Sequence, residues 1–113
     1  MSSKILRPVS AAAVKAMLDD GDELALIDVR EELAFSQNHL LWARSVPLSR
    51  LELRFAGLVP RLATRIVLCD DNDGLVERAA AILAGAGYND LSFLDGGVAA
   101  WAAISKTDGA DKF

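Results

Sequence analysis

Polar and apolar positions alternate along this chain in two periods, and the two periods take turns. Ser10 stands before a stretch in which Ala13, Val14, Met17 and Leu18 recur at helical spacing. A serine there is a good N-cap, so a helix is expected to run to Asp19-Asp20-Gly21-Asp22. "LALIDV", Leu24–Val29, is a short apolar run between charged flanks, the pattern of a buried strand. "REELAFSQNHL" reads as a short helix or helical turn. "RSVPL" holds a brief strand, limited by Pro47. Ser49 with Glu52 three residues on forms a capping box, predicting a helix over "SRLELRFAGL". "RIVLC", Arg65–Cys69, is the next strand. "GLVERAAAILAGAGY" is the longest helix, with Val76, Ala79, Ala80 and Leu83 on one side and Gly85 and Gly87 at its end. "DLSFL" is a strand, "DGG" a turn and "VAAWAAI" a last short helix. The remainder, Ser105–Phe113, is polar and reads as a frayed tail, a linker or a domain boundary.

Helices alternating with short apolar strands predict an α/β fold, a mostly parallel sheet with helices on both faces. In such folds ligands lie beyond the carboxyl ends of the strands. Three features fall at strand ends of that kind: Asp28-Val29-Arg30, Cys69 with its loop, and Asp95-Gly96-Gly97.

Composition narrows the choice. A chain of 113 residues that is 52% hydrophobic suits one domain with a core of its own. The net charge of −4 argues against a nucleic-acid surface. No stretch has the length of a signal-peptide core or a membrane span, so a soluble, cytoplasmic protein is expected. One cysteine and one histidine permit neither an internal disulfide nor a usual zinc site, and no cofactor or metal is expected.

The motifs, taken in order, resemble a rhodanese domain. "LIDVREELAFSQNHLLWARSVPLSRLE" is similar to the family's D-V-R-E, G-H-I-P-G-A and N-I-P-L stretch. "IVLCDDNDG" stands where the family has its catalytic cysteine loop, and "AAAILAGAGYNDLSFLDGGVAAW" resembles the helix, the strand and the closing G-G-x-x-A-W. The resemblance covers about Ser10 to Trp101, with the domain placed at residues 1–104. It implies a rhodanese-like fold with a central, mostly parallel five-stranded sheet.

The resemblance also implies a reaction. Rhodaneses carry sulfane sulfur as a persulfide on the loop cysteine, take it from a donor such as thiosulfate and pass it to a thiophilic acceptor, which can be a protein thiol. Cys69 would be the nucleophile. The backbone N–H groups of Asp70, Asp71, Asn72, Asp73, Gly74 and Leu75 would cradle the anion at a helix N-terminus. Asp28 and Arg30 would buttress the loop, and His39 would stabilise its turn. Sister rhodanese domains, in a longer protein of which this chain is one piece, are one partner that the resemblance allows.

The loop departs from the family pattern. The usual Cys-Arg-x-Gly-x-Arg is here Cys69-Asp70-Asp71-Asn72-Asp73-Gly74. Both arginines are missing, and the segment from Cys69 to Ala79-Ala80 is one residue longer than the commonest form. Phosphatase relatives have a longer loop but close it with an arginine that this loop lacks. Gly-His-Ile-Pro is replaced by Asn38-His39-Leu40-Leu41. A helix N-terminus favours an anion by about 0.3–1 kcal/mol. One aspartate about 7 Å away opposes it by roughly 2 kcal/mol at an effective dielectric of 20. The direction of the acidic side chains therefore decides between two readings. Either Cys69 is a sulfur carrier, or it is an inert strand-end cysteine in a non-catalytic module for protein binding or for support of sister domains.

Overall fold

The structure, a computed structural model, describes residues 6–40 and 42–108. Five strands form one sheet in the order β1-β5-β4-β2-β3, and every pairing is parallel. They are β1 (Leu6–Val9), β2 (Leu24–Asp28), β3 (Arg44–Ser45), β4 (Arg65–Cys69) and β5 (Leu91–Leu94). The helices are α1 (Ala11–Asp19), α2 (Glu32–Gln37), α3 (Leu51–Leu58), α4 (Leu75–Gly85) and α5 (Gly97–Asp108). None of the described helices is long and apolar enough to cross a membrane.

The two faces of the sheet carry separate cores. Ile27, Ile66, Leu68 and Leu91 pack with Leu51, Phe55, Ala79 and Leu83 beneath α3 and α4. Leu26, Val67, Cys69 and Leu94 pack with Ala11, Val14, Val98 and Trp101 beneath α1 and α5. The split follows from the period of two in a strand. Along β4, Ile66 and Leu68 face one way and Val67 and Cys69 the other.

Local chemistry sets the helix ends. Ser10 caps α1, its hydroxyl accepting from the Ala13 N–H at 3.0 Å. α4 ends in a Schellman motif: Gly87 is left-handed at φ 105°, its N–H bonds the Ala84 carbonyl, and the Tyr88 N–H bonds the Leu83 carbonyl.

The structure adds one strand and corrects two local expectations. β1 carries no strand signal in the sequence, because "LRPV" neither alternates nor runs apolar. It forms by lying along β5 at the sheet edge. The Val9 carbonyl accepts from Asp95, so Pro8 faces the free side, where its missing N–H costs nothing. Ser49 does not cap α3. A 3-10 turn over Leu48–Arg50 delays the helix, and the Ser49 hydroxyl reaches the Glu31 carboxylate at 3.1 Å instead. The brief strand expected within "RSVPL" is Arg44–Ser45, ending before Pro47. Finally, α5 continues to Asp108, past the expected start of the polar tail, and residues 109–113 lie outside the described residues.

Candidate active site

Because the sheet is parallel, the three expected features converge at one end of it. The Val29 N–H donates to the Cys69 carbonyl, joining the ends of β2 and β4. The Val98 N–H donates to the Asp70 carbonyl at 2.9 Å, and the Asn72 side-chain amide donates to the Gly96 carbonyl at 3.0 Å. Gly97 is required at this junction. It sits at φ 67°, and a methyl group on it would stand 2.5 Å from the Asp70 carbonyl oxygen.

Cys69 is the last residue of β4, and its side chain belongs to the core under α1 and α5. It is 0% exposed. Burial pushes the thiol well above its ordinary pKa, the Asp28 carboxylate adds to the effect, and Arg30 opposes it. The sulfur is therefore held protonated and away from solvent.

The loop after it is organised by the next residue. Asp70 is 2% exposed. One carboxylate oxygen accepts from the Asn72 N–H at 2.9 Å and the other from the Val76 N–H at 3.1 Å. Val76 lies in the first turn of α4, whose N-cap, Gly74, has no side chain to offer. The Asp70 carboxylate therefore supplies the cap and the negative charge that this helix end favours. Asn72 and Gly74 adopt left-handed conformations, at φ 63° and 88°, which curl the loop around that carboxylate.

The other acids point elsewhere. Asp71 is half-exposed and meets the Arg30 guanidinium at 3.3 Å. Asp73 is exposed. Among the described residues no cluster of His, Cys, Asp or Glu side chains is placed to hold a metal. A small cavity of about 130 Å³ lies against the loop, lined by Asp70, Asn72, Gly74, Val76, Glu77 and Phe93. Two of its six residues are acidic.

Arg30 ties the end of β2 to the surrounding turns. Its Nε bonds both Asp28 oxygens at 3.0 and 3.2 Å, and Nη2 bonds Asp28 Oδ2 at 2.8 Å. Nη2 also donates to the Asn38 carbonyl at 2.6 Å, while Nη1 reaches the Asn38 side chain and Asp71. Both partners are buried, and the hydrogen bonds to Asp28 raise the Arg30 pKa against the opposing effect of burial. His39 stacks on Phe35 at 3.9 Å and donates from Nδ1 to the Phe35 carbonyl, closing the turn after α2.

The profile of the rhodanese-like domain matches residues 10–104. The chain belongs to the rhodanese-like domain family. It is 43% identical to a thiosulfate sulfurtransferase from Pseudomonas aeruginosa, with a TM-score of 0.83, over 88% of this chain and 19% of that one. It is 26% identical, with a TM-score of 0.75, to the rhodanese-like domain of an Anabaena protein, over 86% of this chain and 74% of that one. It is also 31% identical to a probable adenylyltransferase/sulfurtransferase of Mycobacterium tuberculosis, over 88% of this chain and 26% of the relative. The chain thus spans about a quarter or less of the first and last of these proteins.

Within this rhodanese-like domain two contributors were not evident from the sequence. Asn38 anchors Arg30 through a carbonyl, and nothing in its residue type signals that. The capping role of the Asp70 side chain did leave a signal, which was the extra residue between Cys69 and the Ala79-Ala80 pair.

Proposed function

We propose that this chain is a non-catalytic rhodanese-like module that binds or supports other protein segments. In it Asp70, not Cys69, occupies the position where the loop holds an anionic side chain. The single observation carrying this reading is the pair of hydrogen bonds from Asn72 and Val76 to the Asp70 carboxylate. A persulfide on Cys69 would need those N–H groups, and they are occupied by a charge of the chain's own. Counted from Asp70, the loop also loses its surplus residue before Ala79-Ala80. Asp70 and Glu77 on the lining of the mouth add repulsion toward a dianion such as thiosulfate.

The rival reading keeps Cys69 as a persulfide carrier that takes sulfur from a small donor, passes it to a thiophilic acceptor and uses the N–H groups of Asp70 to Leu75 as its cradle. The names of the sulfurtransferase relatives favour it. To act so, Cys69 must leave a fully buried site and the loop must release Asp70 from two N–H groups. Each buried group left unpaired costs about 1–3 kcal/mol.

Intact-protein mass after incubation with thiosulfate and with a persulfide donor separates the two. The expected result is no added sulfur on the folded domain, with Cys69 alkylated readily once the chain is unfolded in urea. One sulfur on Cys69, removed by cyanide or dithiothreitol, overturns the proposal.

A further inference from the structure

Aspartate followed by glycine is a pair at which a peptide chain readily rearranges, because glycine puts no side chain in the way of its own nitrogen. The sequence holds four such pairs: Asp20-Gly21, Asp73-Gly74, Asp95-Gly96 and Asp108-Gly109. Folding treats them differently. The Asp20 carboxylate is held by Arg65 at 2.8 and 3.0 Å and accepts from the Asp22 N–H at 2.9 Å. At Asp95 the backbone is pinned. Its N–H donates to the Val9 carbonyl, the Gly96 carbonyl accepts from the Asn72 side chain, and a methyl group on Gly96 would stand 2.8 Å from the Ala100 side chain. Gly109 lies outside the described residues.

Asp73-Gly74 has none of these restraints. Asp73 is exposed, its carboxylate has no partner among the described residues, and the Gly74 N–H donates to none of them. Gly74 sits at φ 88°, and the space that a Cβ on it would take is open. No contact holds the Asp73 carboxyl carbon away from the Gly74 nitrogen. The pair also lies at a sensitive place. One Asp70 oxygen takes the Asn72 N–H, before Asp73, and the other takes the Val76 N–H, after Gly74. The two bonds that organise the loop therefore straddle this one peptide link.

We propose that the Asp73–Gly74 link is a site of spontaneous isomerisation to isoaspartate, and that this modification unlatches the loop. The Gly74 nitrogen attacks Cγ of the protonated Asp73 carboxyl. A C–N bond forms, a C–O bond breaks, and the amide proton leaves with the hydroxyl as water, closing a succinimide ring. Water then opens the ring, so nothing is oxidised or reduced. Opening at the Cγ carbonyl restores aspartate. Opening at the main-chain carbonyl leaves isoaspartate, with the chain running through Cβ and Cγ and the α-carboxylate free. The main chain between Asn72 and Gly74 is then longer by one carbon. The Asp70 carboxylate keeps the near Asn72 N–H and releases the Val76 N–H at the start of α4. The freed α-carboxylate is the group that a methyltransferase specific for isoaspartate, using S-adenosylmethionine, takes as substrate. This inference goes beyond the binding-module reading and holds with or without sulfur on Cys69.

The test ages the folded protein at physiological temperature beside the same chain unfolded in guanidinium chloride, and locates isoaspartate in each by peptide fragmentation and by methyltransferase labelling. In the folded protein isoaspartate should build up at Asp73 and at neither Asp20 nor Asp95. Unfolding should bring Asp20 and Asp95 to rates like that of Asp73. Asp73→Glu, at this exposed position, would have to close a larger ring and should abolish the labelling there. In the fraction carrying isoaspartate, hydrogen exchange at the Val76 amide should quicken about tenfold, as the loss of a helix cap implies. An Asp73 that stays unchanged in the folded protein yet isomerises in the unfolded chain overturns the proposal. So does isomerisation of Asp20 or Asp95 in the folded protein at the rate of Asp73. Unchanged Val76 exchange in the isoaspartate fraction overturns the unlatching.

Discussion

The carboxyl end of the sheet and the outer edge of β2 handle their polar groups in opposite ways. At the carboxyl end, Asp28 and Arg30 bond each other, Arg30 also holds Asn38 and Asp71, and Asp70 takes up the Asn72 and Val76 N–H groups. At the β2 edge, β3 pairs only with Ile27 and Asp28, and the nearby Trp101 indole N–H has no partner among the described residues. The family places its chemistry at the first location, where the Asn72 and Val76 N–H groups are taken by a carboxylate of the chain's own. Fold membership locates a loop. Whether that loop can receive a ligand depends on which of its donors are already engaged.

The largest effect that sharpens this contrast comes from reopening the closed end. In a Cys69→Ala background, Asp70→Cys puts a thiol where the carboxylate meets the loop N–H groups. Its alkylation by iodoacetamide in the folded protein should exceed that of native Cys69 by on the order of a thousandfold or more, because the native thiol reacts only when the chain unfolds. Equal rates would show that Asp70 does not occupy the reactive position. Next in size is the buried ion pair. Arg30→Met leaves Asp28 charged and uncompensated, and urea unfolding should show a loss of about 3–5 kcal/mol. Arg44→Met, at the exposed edge, should change stability by no more than about 0.5 kcal/mol. Similar losses at both sites would erase the distinction between a satisfied end and an open edge.

The smallest effect lies at the opposite end of the sheet. Asp20 is bonded by Arg65 at 2.8 and 3.0 Å. That bond, with the Asp22 backbone N–H, lowers the Asp20 pKa from 3.8 to about 2. A folded pKa below the unfolded one adds stability that is present above the unfolded value and lost as pH falls through the folded value. The stability advantage of the parent over Asp20→Asn should therefore shrink as pH falls from 3.8 to about 2, and persist unchanged at neutral pH. A gap that widens with acid would mean that the pair is not formed in solution.

The sequence made the layered α/β order legible because β2, β4 and β5 are buried and announce themselves as apolar runs. β1 was not legible, since an edge strand needs little burial and "LRPV" supplies little. The convergence of Asp28, Cys69 and Gly97 could be read from parallel topology alone. The direction of the Cys69 side chain could also have been read, by extending the Ile66–Leu68 alternation one step. What resisted was the direction of the acids. Asp70 turns inward because two N–H groups wait for it, while Asp71 turns outward to Arg30. Neighbours of identical type are separated by contacts with residues distant in sequence, and no local pattern encodes that.

The place of β1 has a consequence for how the chain folds. Leu6 pairs with Leu91 and Val9 with Leu94, so among the described strands β1 pairs with β5 alone, the last of them in sequence. Closing so long a loop is entropically costly before any contact repays it, and pairings of this kind form late. During synthesis β1 leaves the ribosome before the other described strands and waits longest among them, with both edges unpaired until β5 follows. Interactions that form after the rate-limiting step slow unfolding without hastening folding. β1 thus acts as a latch on the finished domain, and its contribution lies in how long the native state lasts once it is made.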